Sequence, residues 1–323
     1  MELRFGDTAP VRALQVNALT GPEGVAVADA PDPTPADGLV LVDVHAAGVS
    51  FVDLLLSRGE YQVKLDPPFT LGIQFAGVDP AGRRVAGVSF GAFSEKVAVP
   101  EFALLPLPDA VSFEQGAVLG ANYQSAHFAL ARRGRVARGE TVVVHGAGGG
   151  VGSAAVQVAK ALGARVIAVA SDERKREVAA GAGADDTIGS DEGWHREVKA
   201  LTEGAGAQVV FDPVGGSRLE QSLRCLAPEG RLLVVGFAAG EIPQIEANRV
   251  LLRNADVVGV NWGGIAMTRP DVVASAGEDL ARWLDEGRIA PVVGERYALE
   301  DGAQALRAIE QRTAAGNLVL TLV

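Results

Sequence analysis

Apolar residues are grouped in two ways along this chain, and the change comes near Ser112. From about residue 10 to residue 115 they gather in short runs: VRALQV (11–16), GLVLVDVHAAGVS (38–50) and RRVAGV (83–88). Pro31, Pro33, Pro35, Pro67, Pro68, Pro106 and Pro108, together with frequent glycines, separate these runs. Short apolar runs punctuated in this way predict strands and turns, hence an irregular β-rich domain.

Beyond Ser112 the spacing becomes helical, and Ser112 stands where an N-cap belongs. TVVVHG (141–146) reads as an apolar strand, VGSAAVQVAKALG as a helix and RVIAVAS (165–171) as a second strand. Strand, helix and strand in so short a stretch form a βαβ unit, which requires parallel pairing. The alternation continues. ERKREVAAGAGA predicts a helix closed by glycines, DTI a short strand, and QVVFDPVGG (208–216) a strand and turn. RLEQSLRCLAPEG predicts a helix, while RLLVVGF and ADVVGV (255–260) predict strands. About six parallel strands is the count of a doubly wound Rossmann sheet. The fold class expected is therefore α/β, with a second, β-rich domain. From Asn261 the tail offers a helix, EDLARWLDEG, and a strand, NLVLTLV. It is expected to return to the first domain or to lie on a dimer surface. The expected division is 1–120 for the first part of a catalytic domain, 121–260 for dinucleotide binding and 261–323 for the returning part.

Composition narrows the class of protein. A chain of 323 residues suits two domains, and 48% hydrophobic with 21% charged residues supports a large core. Net charge is −11, from 29 basic and 40 acidic residues, so no nucleic-acid partner is expected. The run RRGRVAR (Arg132, Arg133, Arg135, Arg138) is read as a solvated helix end. A single cysteine, Cys225, excludes an intramolecular disulfide and fits a reducing cytoplasm. Glu2 and Asp7 replace the apolar core of a signal peptide, and no run of about 20 apolar residues predicts a membrane span.

The candidate chemistry begins at HGAGGGVG, between an apolar strand and a helix start. Read as a dinucleotide fingerprint it is Ala147-x-Gly149-x-x-Gly152, with Ala147 in the first glycine slot. Gly149 lets the backbone approach a pyrophosphate, and Gly152 lets helix and strand pack closely. The helix N-terminal amides, including those of Gly150 and Val151, then hold the phosphate charge. The end of the next strand selects the cofactor. Ser171 leaves room for a 2′-phosphate that Arg174 or Lys175 can neutralise, so NADPH is expected. Asp172 is the counter-argument, since a carboxylate there could take the ribose hydroxyls of NADH.

HGAGGGVGSAAVQVAKALGARVIAVAS, FDPVGG, LRCLAPEGRLLVVGF and ADVVGVNWG together resemble the medium-chain dehydrogenase/reductase superfamily. AAGVSFVDLLLSRGEYQVKLDPPFTLG and LPDAVSFEQGAVLGANYQSAHFAL resemble its zinc-free quinone oxidoreductase branch, the ζ-crystallin-like proteins. The resemblance implies a split GroES-like catalytic domain, a cofactor lying in the cleft beside the Rossmann domain, and a homodimer joined through Rossmann sheet edges. Zinc-dependent members place Cys, His and Glu where this chain has Ser50, Ile73 and Gln74, and four lobe cysteines are missing. Neither zinc site is expected. Asp53 and Tyr61 match the quinone reductase pattern; Ser50 replaces its usual Asn, and Leu55 replaces a Tyr of some relatives. Arg312 sits where relatives place an arginine on the 2′-phosphate, and Ser190 stands in for a tyrosine that some add there. Tyr123, Gly236, Phe237 and Asn317 complete the candidate cofactor contacts. The segment Gly77–Gly87 is shorter than in most relatives, which bears on substrate selectivity.

Hydride transfer asks the protein mainly to orient the cofactor and exclude water. A reduced quinone then needs a proton, from Tyr61 or from water. Tyr61 can equally be a wall residue, and Asp53 a structural hydrogen-bond partner. His45, His127, His145 and His195 share no metal-like spacing. Three functions stay open: an NADPH-dependent quinone reductase, a reductase of activated alkenes (enones, 2-alkenals or enoyl thioesters), or a non-catalytic NADPH-binding protein.

Overall fold

The computed structural model describes residues 10–34 and 37–322, so Glu2, Asp7 and Pro35 lie outside the described residues. The chain divides into two compact units. One comprises the chain up to Ala121, Pro270–Asp285 and the chain from Val293 onward; the other comprises Asn122–Arg269 and Glu286–Val292.

The first unit is β-rich. Val11–Val16 lies between Val25–Ala30 and Phe69–Thr70 in a three-stranded sheet. A second sheet runs in the order Val293–Ala298, Asn317–Thr321, Leu39–Val49, Gln74–Val78, Arg84–Val88, Leu104–Pro106, and Lys96–Pro100 also pairs with Leu39–Val49. The tail strand thus returns to this unit, with Leu318 antiparallel to Val49 and Leu320 to Ala47. Its core gathers Leu14, Val42, Val44, Leu54, Phe75, Phe93 and Leu320, all almost fully buried.

The short Gly77–Gly87 segment is a hairpin, with Val78 opposite Arg84. Asp79 closes its loop by accepting from the amides of Ala81 and Arg83 at 3.0 and 2.8 Å. A carboxylate that folds back on its own turn replaces a longer connection.

The second unit has six parallel strands in the order Asp186–Gly189, Arg165–Ala170, Thr141–His145, Ala207–Asp212, Leu226–Val234, Asp256–Gly259. Numbered along the chain this is 3-2-1-4-5-6, the Rossmann order. Val142, Val143 and Val144 on the first strand have no exposed surface, as a central strand covered on both faces requires. Ser112 caps the helix that leads toward this unit: its Oγ accepts from the Gln115 amide, and Gln115 Oε1 accepts from the Ser112 amide. That reciprocal pair is a capping box. Residues 119–123 and 128–133 of the following helical run are π-wound.

RLEQSLRCLAPEG does not stay helical throughout. The helix is Arg218–Cys225, and Leu226 already begins the next strand. Pro228 lacks the amide that a continuing helix needs, and its ring disfavours helical geometry just before it. The Arg132–Arg138 run does lie at a helix end; Arg133 donates to the Gly259 carbonyl and Arg135 pairs with Asp256.

Candidate cofactor and substrate sites

In the dinucleotide unit, strand Thr141–His145 turns at Gly146 and re-emerges as the helix Gly150–Ala161, with Gly149 at the N-cap. Ala147 is buried, and its amide donates to the Val169 carbonyl at 3.2 Å. That bond ties the turn to the neighbouring strand. A Cβ on Gly152 would lie 2.0 Å from the Gly146 carbonyl oxygen, so only glycine lets helix and strand approach this closely. A Cβ on Gly149 would meet only that oxygen, at 3.4 Å. Gly149, Gly150 and Val151 are partly exposed. The first amides of a helix have no partner within it, so this turn presents donors and the positive end of the helix dipole to an anion.

At the end of the next strand Asp172 is the N-cap of helix Glu173–Gly181. Its Oδ1 accepts from the Lys175 amide at 3.0 Å. Its Oδ2 accepts from Ser171 Oγ at 2.9 Å and lies 3.2 Å from Lys175 Nζ. Burial pulls this carboxyl up, but the Lys175 amide, the Ser171 hydroxyl and the Lys175 ammonium together hold it below the ordinary range. Lys175 Nζ also reaches Ser171 Oγ at 3.3 Å. Ser171, Asp172 and Lys175 therefore form one polar group, with Arg174 exposed beside it.

Gly236 and Phe237 follow strand Leu226–Val234, and both are partly exposed. The Asp212 carbonyl accepts the amides of Val235 and Gly236, while Asp212 Oδ1 accepts those of Val214 and Gly215. One aspartate thereby fixes two turns at the strand ends. Tyr123 is fully buried, and its hydroxyl donates to Gln157 Oε1 at 2.8 Å. Gln157 in turn exchanges two hydrogen bonds with Ala290, at 2.7 and 3.0 Å. This network pins Glu286–Val292 to the dinucleotide unit. Sequence reasoning missed Gln157, which looks like any polar residue on a helix. His145 is also buried; it bonds Ser222 at 3.1 Å, and burial pushes its pKa down to about 4.

In the β-rich unit Ser50 is the N-cap of helix Phe51–Ser57, and Asp53 stands in its first turn. Asp53 Oδ2 accepts both the amide and the hydroxyl of Ser50, each at 2.7 Å. Its Oδ1 is buried without a hydrogen-bond partner. Burial pushes this carboxyl up to about 7, against the lowering pull of the Ser50 hydrogen bonds. Burial and the Asp53 charge both raise Tyr61 above the ordinary phenol value. Gln74 is fully buried, with Oε1 accepting from the Ala121 amide at 3.0 Å and Nε2 unpartnered. Asn317 is buried at the start of its strand, and Arg312 follows helix Gly302–Glu310 with a left-handed φ of 58°. Among the described residues no three His, Cys, Asp or Glu side chains gather in a way that could hold a metal ion. None of the described helices is long and apolar enough to cross a membrane.

Known proteins resemble the chain over nearly its whole length. The family model of zinc-binding dehydrogenases matches residues 150–277. Quinone oxidoreductase-like protein 2 of Bos taurus is 36% identical over 296 residues, covering 88% of this chain and 85% of that protein. A probable oxidoreductase from Mycobacterium abscessus is 39% identical with a TM-score of 0.89, over 98% of this chain and all of that one. The quinone oxidoreductase of Thermus thermophilus, solved alone and with NADPH, is 36% identical with a TM-score of 0.86, over 96% of this chain and all of that one. With Rossmann strand order in one unit, a β-rich partner unit and Ser50, Ile73 and Gln74 in the zinc-ligand slots, the chain belongs to the zinc-independent quinone oxidoreductase branch of the medium-chain dehydrogenases/reductases.

Proposed function

We propose that this protein transfers hydride from NADPH to a quinone without a metal. The observation that carries the cofactor choice is the setting of Asp172. An NADH-type site needs a carboxylate turned to the ribose hydroxyls. Here both oxygens of Asp172 already serve the helix cap, Ser171 and Lys175. The Thermus thermophilus relative, solved with NADPH, supports the same choice.

The glycine turn fits a dinucleotide: the amides of Gly150, Val151 and Gly152 would hold the pyrophosphate, and Ser171, Arg174 and Lys175 the 2′-phosphate. Gly236 and Phe237 would wall the cofactor. When bound, the dihydronicotinamide supplies the hydride. On the substrate side, Tyr61 is a phenol and so carries its proton at neutral pH, available to a reduced quinone, although burial and the Asp53 charge raise its pKa and make it a weaker acid than a free phenol. Asp53 fixes the Ser50 hydroxyl beside it. The edge strand Asp256–Gly259 of the dinucleotide unit serves a homodimer. One buried thiol, Cys225, suits a reducing cytoplasm.

The test is NADPH oxidation with a panel of quinones, enones and simple alcohols, with and without a chelator. Quinone turnover that ignores the chelator is expected, with no alcohol oxidation, which in this superfamily relies on zinc polarising the oxygen. Turnover of enones alone moves the assignment to an alkene reductase. No turnover of either class leaves a binding protein and overturns the proposal.

A further inference from the structure

Gly148 lies inside the glycine turn, yet its backbone does not demand glycine: it is absent from the residues with positive φ. Space demands it instead. A Cβ at Gly148 would lie 2.5 Å from both the Cβ and the carbonyl oxygen of Lys175, and 2.7 Å from its Cα. Non-bonded carbons settle at about 3.5–4.0 Å, so the first turn of helix Glu173–Gly181 would have to move by roughly 1 Å. That turn carries the Lys175 ammonium, held 3.3 Å from Ser171 Oγ and 3.2 Å from Asp172 Oδ2. The helix can yield without unfolding, because of its nine residues only Ala179 is buried.

We infer that Gly148 is a positioning residue for cofactor selectivity: it seats the first turn of helix Glu173–Gly181 on the glycine turn and so sets where Lys175 presents its charge to the 2′-phosphate. The inference rests on the NADPH reading above. It concerns a residue that makes no contact with the 2′-phosphate in that reading and acts through Lys175. The pyrophosphate contacts belong to Gly150, Val151 and Gly152 and are left in place.

The experiment is a double-mutant cycle. Gly148→Ala, Lys175→Ala and the double variant are titrated with NADPH and NADH, and melting temperatures are recorded. A charge-assisted hydrogen bond to phosphate is worth about 10- to 100-fold in affinity. Gly148→Ala should therefore weaken NADPH by about 10-fold while NADH moves less than about 2-fold, the NADH value certifying an intact turn. In the double variant the NADPH/NADH ratio should match that of Lys175→Ala alone. Equal weakening of both cofactors, or full additivity of the two ratio changes, overturns the inference. So does failure of Gly148→Ala to fold, because yielding of the exposed helix is part of the inference. If Lys175→Ala leaves the ratio unchanged, the Lys175 assignment itself fails, and that single variant identifies this outcome.

Discussion

Asp53 receives two hydrogen bonds from Ser50 on one carboxylate oxygen, each 2.7 Å long, and keeps its other oxygen buried without a partner. The first half of this arrangement is a helix cap; the second is a desolvated charge. Desolvation wins, which is why the carboxyl is pushed up to about 7.

A raised carboxyl pKa has a definite sign in stability. Between the unfolded value of 3.8 and about 7 the folded state binds the extra proton. The contribution of Asp53 is therefore fullest below pH 4, falls as pH rises toward 7, and is flat above it. Asp53→Asn keeps an oxygen acceptor for Ser50 and removes the titration. Relative to wild type, the variant should be similar in stability near pH 4 and more stable near pH 8, by on the order of 2–4 kcal/mol. Urea unfolding at both pH values measures this. A difference that does not change with pH would show that Asp53 ionises at an ordinary pKa.

Tyr123 is expected to act on the fold more than on the cofactor. Its buried hydroxyl serves Gln157, which holds Ala290. Tyr123→Phe removes the bond to Gln157 and the backbone hydrogen bond from Val292, together worth about 1–3 kcal/mol, and leaves no apolar cavity. The melting temperature should fall by a few degrees, with both cofactor affinities within about 2-fold. A 10-fold loss of NADPH affinity would instead assign the hydroxyl to the cofactor.

Arg312 combines a candidate function with backbone strain. It occupies the left-handed region, φ 58°, just past helix Gly302–Glu310, a place where glycine is the usual residue. Arg312→Gly should leave stability unchanged or raise it by up to about 1 kcal/mol. NADPH should bind about 10- to 100-fold more weakly and NADH equally well, as expected for loss of one charged phosphate contact. Calorimetry and cofactor titration read the two effects separately. Equal weakening of both cofactors would place Arg312 in the fold alone.

Much of this fold was legible because its signals are local. Val142–Val144, the glycine turn and the Ser112 cap each state their structure within a few residues. The Rossmann strand count followed from them, and the tail strand Asn317–Thr321 was legible as a strand. What stayed hidden depends on distant partners. Nothing near Gly148 announces Lys175, and nothing near Gln157 announces Ala290, which lies 133 residues away. Asp172 looked like an argument for NADH because its residue type is visible and its hydrogen bonds are not. The end of helix Arg218–Cys225 was readable in principle from Pro228, but apolar spacing alone carried the helix too far.

The strand Asp256–Gly259 closes one side of the parallel sheet by pairing with Leu226–Val234, and no described strand pairs with its other side. Val257 on this strand is exposed, as are Leu251 and Leu252 on the helix before it, at 73% and 78%, and Met267 after it. An open edge bordered by large apolar side chains is a template for pairing and a liability in a lone monomer. A second copy meeting it about a two-fold axis would extend the sheet and cover both patches with the same residues. Light scattering should therefore report about twice the chain mass of 33.3 kDa. Replacing Leu251 and Leu252 by glutamate places like charges on both sides of that axis. The variant should be monomeric at micromolar concentration and lose little intrinsic stability, since neither side chain is part of the core. A wild-type protein that is monomeric at the same concentration, or a glutamate variant that remains dimeric, would remove this edge as the interface.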